Sequence, residues 1–180
     1  MKVHEKHKHE ADEKKQLNIA LIIVSTSRYE EIKDQEDIPD KTIPLVQELL
    51  YKEGKISLKS TKIIPDSVEH IQSALNEFLE KNDIDSIIFS GGTGLSPRDI
   101  TYETIQPKFE KIIPGFGELF RYLSYREIGS AAMLSRAIGG KIREKAVFLL
   151  PGSPNAVKIA LHDLILPEMA HMCYLINKEE

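Results

Sequence analysis

Three runs in this chain are apolar at almost every position, and they constrain its fold more than any other feature. LNIALIIVS (residues 17–25), the end of DSIIFS (85–90) and KAVFLL (145–150) are short and rich in branched or aromatic side chains. None alternates as a strand with one wet face does. A strand apolar on both faces has to be covered on both, the condition of a parallel sheet flanked by helices.

The segments between these runs supply the cover. DKTIPLVQELLYKEG (40–54) sets Ile43, Val46, Leu49 and Leu50 at helical spacing, with Pro44 near its start and Gly54 at its end. ISLKSTKII (56–64) is expected as a second strand. PDSVEHIQSALNEFLEKN (65–82) carries the stripe Val68, Ile71, Leu75, Phe78 and Leu79, and Asp66 with Glu69 has capping-box spacing. The order β-α-β-α-β predicts an α/β fold with a mostly parallel sheet. After the first strand a polar loop is expected. Further on, PGFGELFRYLSYRE (114–127) reads as a helix, and AMLSRAIGG (132–140) as either strand or short helix. PGSPNAVKIALHDLIL (151–166) opens a helix with Ser153 as N-cap and Pro154 at its first position. Pro167 is expected to split off a short apolar terminal helix in need of cover from the core or another subunit.

At 180 residues the chain is expected to form one domain. Residues 1–16 are mixed in charge and almost free of apolar side chains, so a disordered tail is expected there, with His4, His7 and His9 solvated. The domain then runs over 17–180. A net charge of −4 and the lack of a basic stripe with interleaved aromatics argue against nucleic acid as a partner. The single cysteine, Cys173, excludes an internal disulfide and is expected as a buried thiol. No apolar run approaches the ~18 residues of a membrane span, and no signal peptide is recognisable. A soluble, cytoplasmic protein is expected.

In an open α/β sheet, ligands bind beyond the carboxyl ends of the strands. Four loops follow such ends: STSR (25–28), PD (65–66), SGGTGLSPRD (90–99) and PGSPN (151–155). The glycine-rich loop lacks the Gly-Lys-Ser/Thr ending of a Walker loop, and Pro97 replaces the third glycine of a dinucleotide fingerprint. Its backbone N–H groups at Gly91, Gly92 and Gly94, with Ser90, Thr93 and Arg98, suit an anion such as phosphate. A tight turn needing glycine only for its conformation is the alternative. PGSPN is a second loop of the same kind, with Gly152, Ser153 and Pro154. Asp66 and Asp99 each precede an expected helix. They can serve as N-caps, as ligands of Mg²⁺ beside a bound phosphate, or as both. His70, His162 and His171 lie on helical patterns without a metal-ligand cluster.

SGGTGLSPRDITYETI, PGFGELFR, AMLSRAIGG and LPGSPNAV, in this order and with DKTIP and IIPD upstream, resemble the MoaB/MogA family of molybdenum cofactor biosynthesis proteins. The resemblance covers the chain from Leu17 onward. It implies a three-layer αβα sandwich of the molybdopterin-binding type, assembled as a homotrimer or hexamer. It implies molybdopterin as substrate and Mg²⁺ with ATP, the pterin phosphate being adenylylated before a downstream protein inserts molybdenum or tungsten. The family's two important aspartates fall on Asp66 and Asp99. Its pterin site falls on Ser90, Gly91, Gly92, Thr93 and Gly94 and on Gly152, Ser153 and Pro154, with Ser25 and Arg98 nearby. Thr26 and Ser27 stand where many members carry an aspartate-containing turn. A non-catalytic molybdopterin-binding protein, or a nucleotide pyrophosphate hydrolase of the CinA-like type, are the alternatives.

Overall fold

The computed structural model describes residues 16–33 and 40–178. Strand β1 (Leu17–Val24) is followed by helices α1 (Thr26–Lys33) and α2 (Thr42–Glu53), strand β2 (Ile56–Ile64), helix α3 (Val68–Leu79) and strand β3 (Ser86–Ser90). The short helix α4 (Thr101–Ile105) leads through the edge strand β4 (Lys111–Ile112) to helix α5 (Pro114–Ile128). A 3₁₀ segment (Gly129–Leu134), strands β5 (Ile138–Ile142) and β6 (Lys145–Leu150), and helices α6 (Pro154–Ile159) and α7 (Leu166–Ile176) complete the fold. The charged N-terminal segment expected as a tail, with its three histidines, lies outside the described residues up to Lys15.

The six strands form one sheet in the order β2-β1-β3-β6-β5-β4. β2, β1, β3 and β6 run parallel, while β5 and β4 pair antiparallel at one edge. Strand β1 shows why the sheet is a middle layer. Ile19, Leu21 and Ile23 point into one core, with Val46 and Leu49 of α2 and Phe120 of α5. Ala20, Ile22 and Val24 point into the other, with Ile71, Leu75 and Phe78 of α3. Each large aliphatic side chain buried in this way contributes about 1.5–3 kcal/mol. Because both faces of β1 are covered, the run is apolar at successive positions, and the three-layer αβα sandwich follows from that.

Two expectations are corrected and one ambiguity is resolved. The polar stretch after β1 is helix α1 rather than a loop, and its N-terminus is held by a residue from the end of β2, described below. AMLSRAIGG, ambiguous in the sequence, divides into the end of the 3₁₀ segment and strand β5. Pro167 does not end a helix: α6 and α7 join through a π-helical stretch, Ala160–Ile165, into one continuous helix of 23 residues, Pro154–Ile176. A proline inside a regular helix loses one N–H bond and crowds the carbonyl four residues back, and the wider π turn before it absorbs that mismatch. By length and composition this helix could cross a membrane. It is instead a core helix, with Val157, Leu161, Ile165 and Met169 fully enclosed and Cys173 buried and in no disulfide.

Candidate functional site

The chain leaves β1 toward β2 on one side and returns as β3 on the other, so the loops after β1 and β3 part at their carboxyl ends. That divergence is where a crevice opens in such sheets. A cleft of about 540 Å³ lies there. Ser25 and Arg28 line it from the start of α1, together with residues 90–94 and 151–152 and the two aspartates Asp66 and Asp99. Ile128, Ala131 and Leu134 supply an apolar part of its wall, followed in the chain by Ser135 and Arg136, which also line it.

Glycine is required where the two small-residue loops meet. Gly91 has φ +111°, and a Cβ there would lie 2.2 Å from the Val24 carbonyl oxygen. A Cβ on Gly152 would lie 3.2 Å from Gly91 Cα, so the loops pack backbone against backbone. Ser90 Oγ donates to the Pro151 carbonyl at 3.4 Å and Gly91 N–H to the Leu150 carbonyl at 3.0 Å, tying the loops together. Of the second loop, Gly152 lines the cleft but Ser153 and Pro154 do not. Ser153 Oγ is committed as the N-cap of α6, accepting from Ala156 N–H at 3.2 Å, and Pro154 is the first residue of that helix. Both were expected as binding residues, and the cap draws Ser153 away from the cleft.

Neither aspartate caps the helix that follows it. Asp66 is followed by Ser67, the residue that opens α3, and the Asp66–Glu69 capping box is not formed. Its Oδ2 instead accepts from Thr26 N–H and Thr26 Oγ, both at 3.0 Å, and so caps α1, forty residues back in the chain. Asp99 Oδ2 accepts from Ser96 N–H at 3.2 Å, closing its own loop, while Ile100 opens α4. In each case Oδ1 makes no hydrogen bond or ion pair among the described residues. A Cβ on Gly92 would come within 2.9 Å of Asp66 Oδ1, and one on Gly94 within 2.8 Å of Asp99 Oδ2. The glycines therefore also make room for both carboxylates against the loop.

The cations differ from those expected. Arg98 is exposed and does not line the main cleft; it lies on an adjoining hollow with Ser27 and Pro97, which shares Ser25 and Asp66 with the cleft. Two arginines do line the cleft. Arg136 donates from Nε to the Thr93 carbonyl at 2.9 Å and from NH2 to the Gly94 carbonyl at 2.6 Å. It also pairs with Glu103 and stacks over the Tyr102 ring at 4.8 Å. It thus braces the glycine loop by its carbonyls, and the hydrogen bond from Arg136 holds the Glu103 carboxyl below the usual glutamate range. Arg28 pairs with Asp40 at 2.8 Å. Both arginines were missed as site residues. Arg28 sat in a presumed loop, and Arg136 reaches residues 42 and 43 positions away, a proximity no local pattern encodes.

Two carboxylates, each with one uncommitted oxygen, suit a hard divalent cation that completes its shell from phosphate oxygens and water. Among the described residues no group of three His, Cys, Asp or Glu side chains could hold a metal by itself. The donor set fits Mg²⁺ carried with a phosphate ligand rather than a closed structural metal site. The cleft suits an anionic ligand with an apolar part.

Residues 20–171 match the family described as a probable molybdopterin binding domain. The molybdenum cofactor biosynthesis protein B of Bacillus cereus is 42% identical over 172 residues, 95% of this chain and 97% of that protein. Its namesake in Bacillus anthracis is 41% identical over 172 residues, with the same coverage of 95% and 97%. The crystal structure of the tungsten cofactor synthesizing protein MoaB from Pyrococcus furiosus superposes with a TM-score of 0.79 at 37% identity, covering 92% of this chain and 99% of that one.

Proposed function

The chain belongs to the MoaB/MogA family of molybdenum cofactor biosynthesis proteins, and from that premise we propose that it is a molybdopterin adenylyltransferase. A phosphate oxygen of molybdopterin attacks the α-phosphorus of ATP, the bond from that phosphorus to the β-bridging oxygen breaks, and pyrophosphate leaves. No covalent intermediate on the protein is needed, so positioning and charge compensation dominate. The observation that carries this reading is the meeting, in one cleft, of two half-committed carboxylates with two backbone-lined glycine loops.

The Gly91 N–H is spent on the Leu150 carbonyl, so the N–H groups of Gly92, Thr93 and Gly94 would bind phosphate oxygens. The Ile128 and Leu134 wall would cover the pterin ring and exclude water beside it. Asp66 and Asp99 would hold Mg²⁺, which when bound neutralises phosphate charge. Whether the product receives molybdenum or tungsten is left to a downstream insertion protein. The chain would work as a homotrimer or hexamer; Leu119, Tyr122 and Tyr125 of α5 are exposed at 53–61%, apolar area that an assembly would cover.

The test is incubation with molybdopterin and Mg²⁺-ATP, measuring pyrophosphate and adenylyl-molybdopterin. Turnover lost in Asp66→Asn and Asp99→Asn supports the reading. Molybdopterin binding without pyrophosphate release identifies a pterin-binding protein instead, and hydrolysis of ADP-ribose without pterin identifies a nucleotide pyrophosphatase.

A further inference from the structure

Arg28 is the guanidinium on the cleft wall that still has donors to give. It lies in α1 just past the end of β1 and lines the cleft, with 30% of its side chain exposed. Its NH1 donates to Asp40 Oδ2 at 2.8 Å. Its Nε and NH2 make no hydrogen bond or ion pair among the described residues. Asp40 is itself fixed: its Oδ1 accepts from the N–H groups of Thr42 at 2.6 Å and Ile43 at 2.7 Å, at the start of α2. The carboxylate that grips Arg28 is therefore anchored to the backbone of a second helix, and the arginine is held at one nitrogen with the rest of its fork open. Arg136 is the opposite case, since its nitrogens are spent on Thr93, Gly94 and Glu103.

We infer that Arg28 recognises a phosphate ester in this cleft, with Asp40 as its positioning residue. This rests on the reading of the cleft as a phosphate-ester site. A guanidinium with two free nitrogens can meet two phosphate oxygens at once, which a lysine ammonium cannot. Because Asp40 already restrains the side chain, less rotamer freedom is lost on binding. The phosphate can be that of molybdopterin or one of those of ATP, and the experiment separates them.

Binding of molybdopterin alone and of Mg²⁺-ATP alone is measured by calorimetry for the wild type, Arg28→Gln, Arg28→Lys and Lys52→Gln. The last removes an exposed charge of α2 outside the cleft. Arg28→Gln weakens one of the two ligands about tenfold or more, the scale of a charge-assisted hydrogen bond. The weakened ligand identifies the phosphate that Arg28 holds. Arg28→Lys falls between, and Lys52→Gln stays near wild type. If Arg28→Gln does not fold, as judged by circular dichroism, the lysine variant decides, since it retains a charge for Asp40. Affinities for both ligands unchanged in the Arg28 variants overturn the inference, as does an equal loss in Lys52→Gln. Absence of binding in the wild type overturns it together with the phosphate-ester reading. Binding that depends on Arg28 without adenylyl transfer sinks the proposed activity alone.

Discussion

Asp66 and Thr26 hold each other by three hydrogen bonds of 3.0 Å: Thr26 N–H and hydroxyl both donate to Asp66 Oδ2, and Asp66 N–H donates to Thr26 Oγ. The contact joins the end of β2 to the start of α1. It consumes one carboxylate oxygen for structure and leaves the other at the cleft, so the two roles of Asp66 reside on different atoms.

That division can be tested by two substitutions at the same position. Asp66→Asn retains an oxygen to accept from Thr26 but loses the charge, so it should unfold near the wild-type temperature while adenylyl transfer falls by about 10²-fold or more. Asp66→Ala should lose activity and also about 1 kcal/mol of capping, lowering Tm by roughly 2–4 °C in a domain of this size. Thermal unfolding and pyrophosphate release, measured side by side, check both. Equal Tm for the two variants contradicts the cap.

Gly91 and Gly54 both have positive φ, yet their replacement should differ sharply. A Cβ on Gly54, with φ +68°, meets nothing within 4 Å, so Gly54→Ala should cost only the left-handed conformation, about 1–2 kcal/mol. A Cβ on Gly91 runs into the Val24 carbonyl, so Gly91→Ala should cost about 3 kcal/mol or more, through movement of two strand ends. Urea midpoints of the two variants decide; similar midpoints contradict the close approach.

The Arg136–Glu103 brace should be sensitive to acid. Glu103 is held below its ordinary range by the Arg136 hydrogen bond, so its ionised form is favoured by folding. Its contribution is present above the unfolded pKa, about 4.3, and fades as pH falls through the lower folded value. Wild type and Glu103→Gln should therefore differ in stability near neutrality and converge once the pH has fallen below the lowered folded value. The difference is expected to be small because Glu103 is half exposed. A gap that widens on acidification contradicts the sign.

Self-association should depend on the exposed face of α5. Tyr122→Glu combined with Tyr125→Glu places two charges on that face, where the wild-type side chains are 61% and 60% exposed. Light scattering should give a trimer or hexamer for the wild type and a monomer for the double variant, with circular dichroism unchanged. A monomeric wild type disproves the assembly.

The layers of this fold were legible in the sequence because they follow from burial alone. A run such as NIALIIV can be soluble only with both faces covered, and Ile71, Leu75 and Phe78 can be buried only along one side of a helix; Val68, expected in the same stripe, is instead 49% exposed at the helix start. The candidate loops were legible for a different reason, since glycines clustered after a buried strand mark a turn whose conformation or close contacts a side chain would obstruct. Even Ser153 and Gly54 declared their roles through contacts within a few residues.

What the sequence could not show is every bond that closes across the sheet. Asp66 reads locally as the cap of its own helix, and only the pairing of β1 with β2 brings Thr26 to it instead. Arg28 and Arg136 carry no pattern at all; one is aimed by Asp40, the other by carbonyls of a loop some forty residues earlier. Local propensity decides which elements form. The strand order β2-β1-β3-β6 decides which of their ends meet, and the chemistry of this protein lies at that meeting.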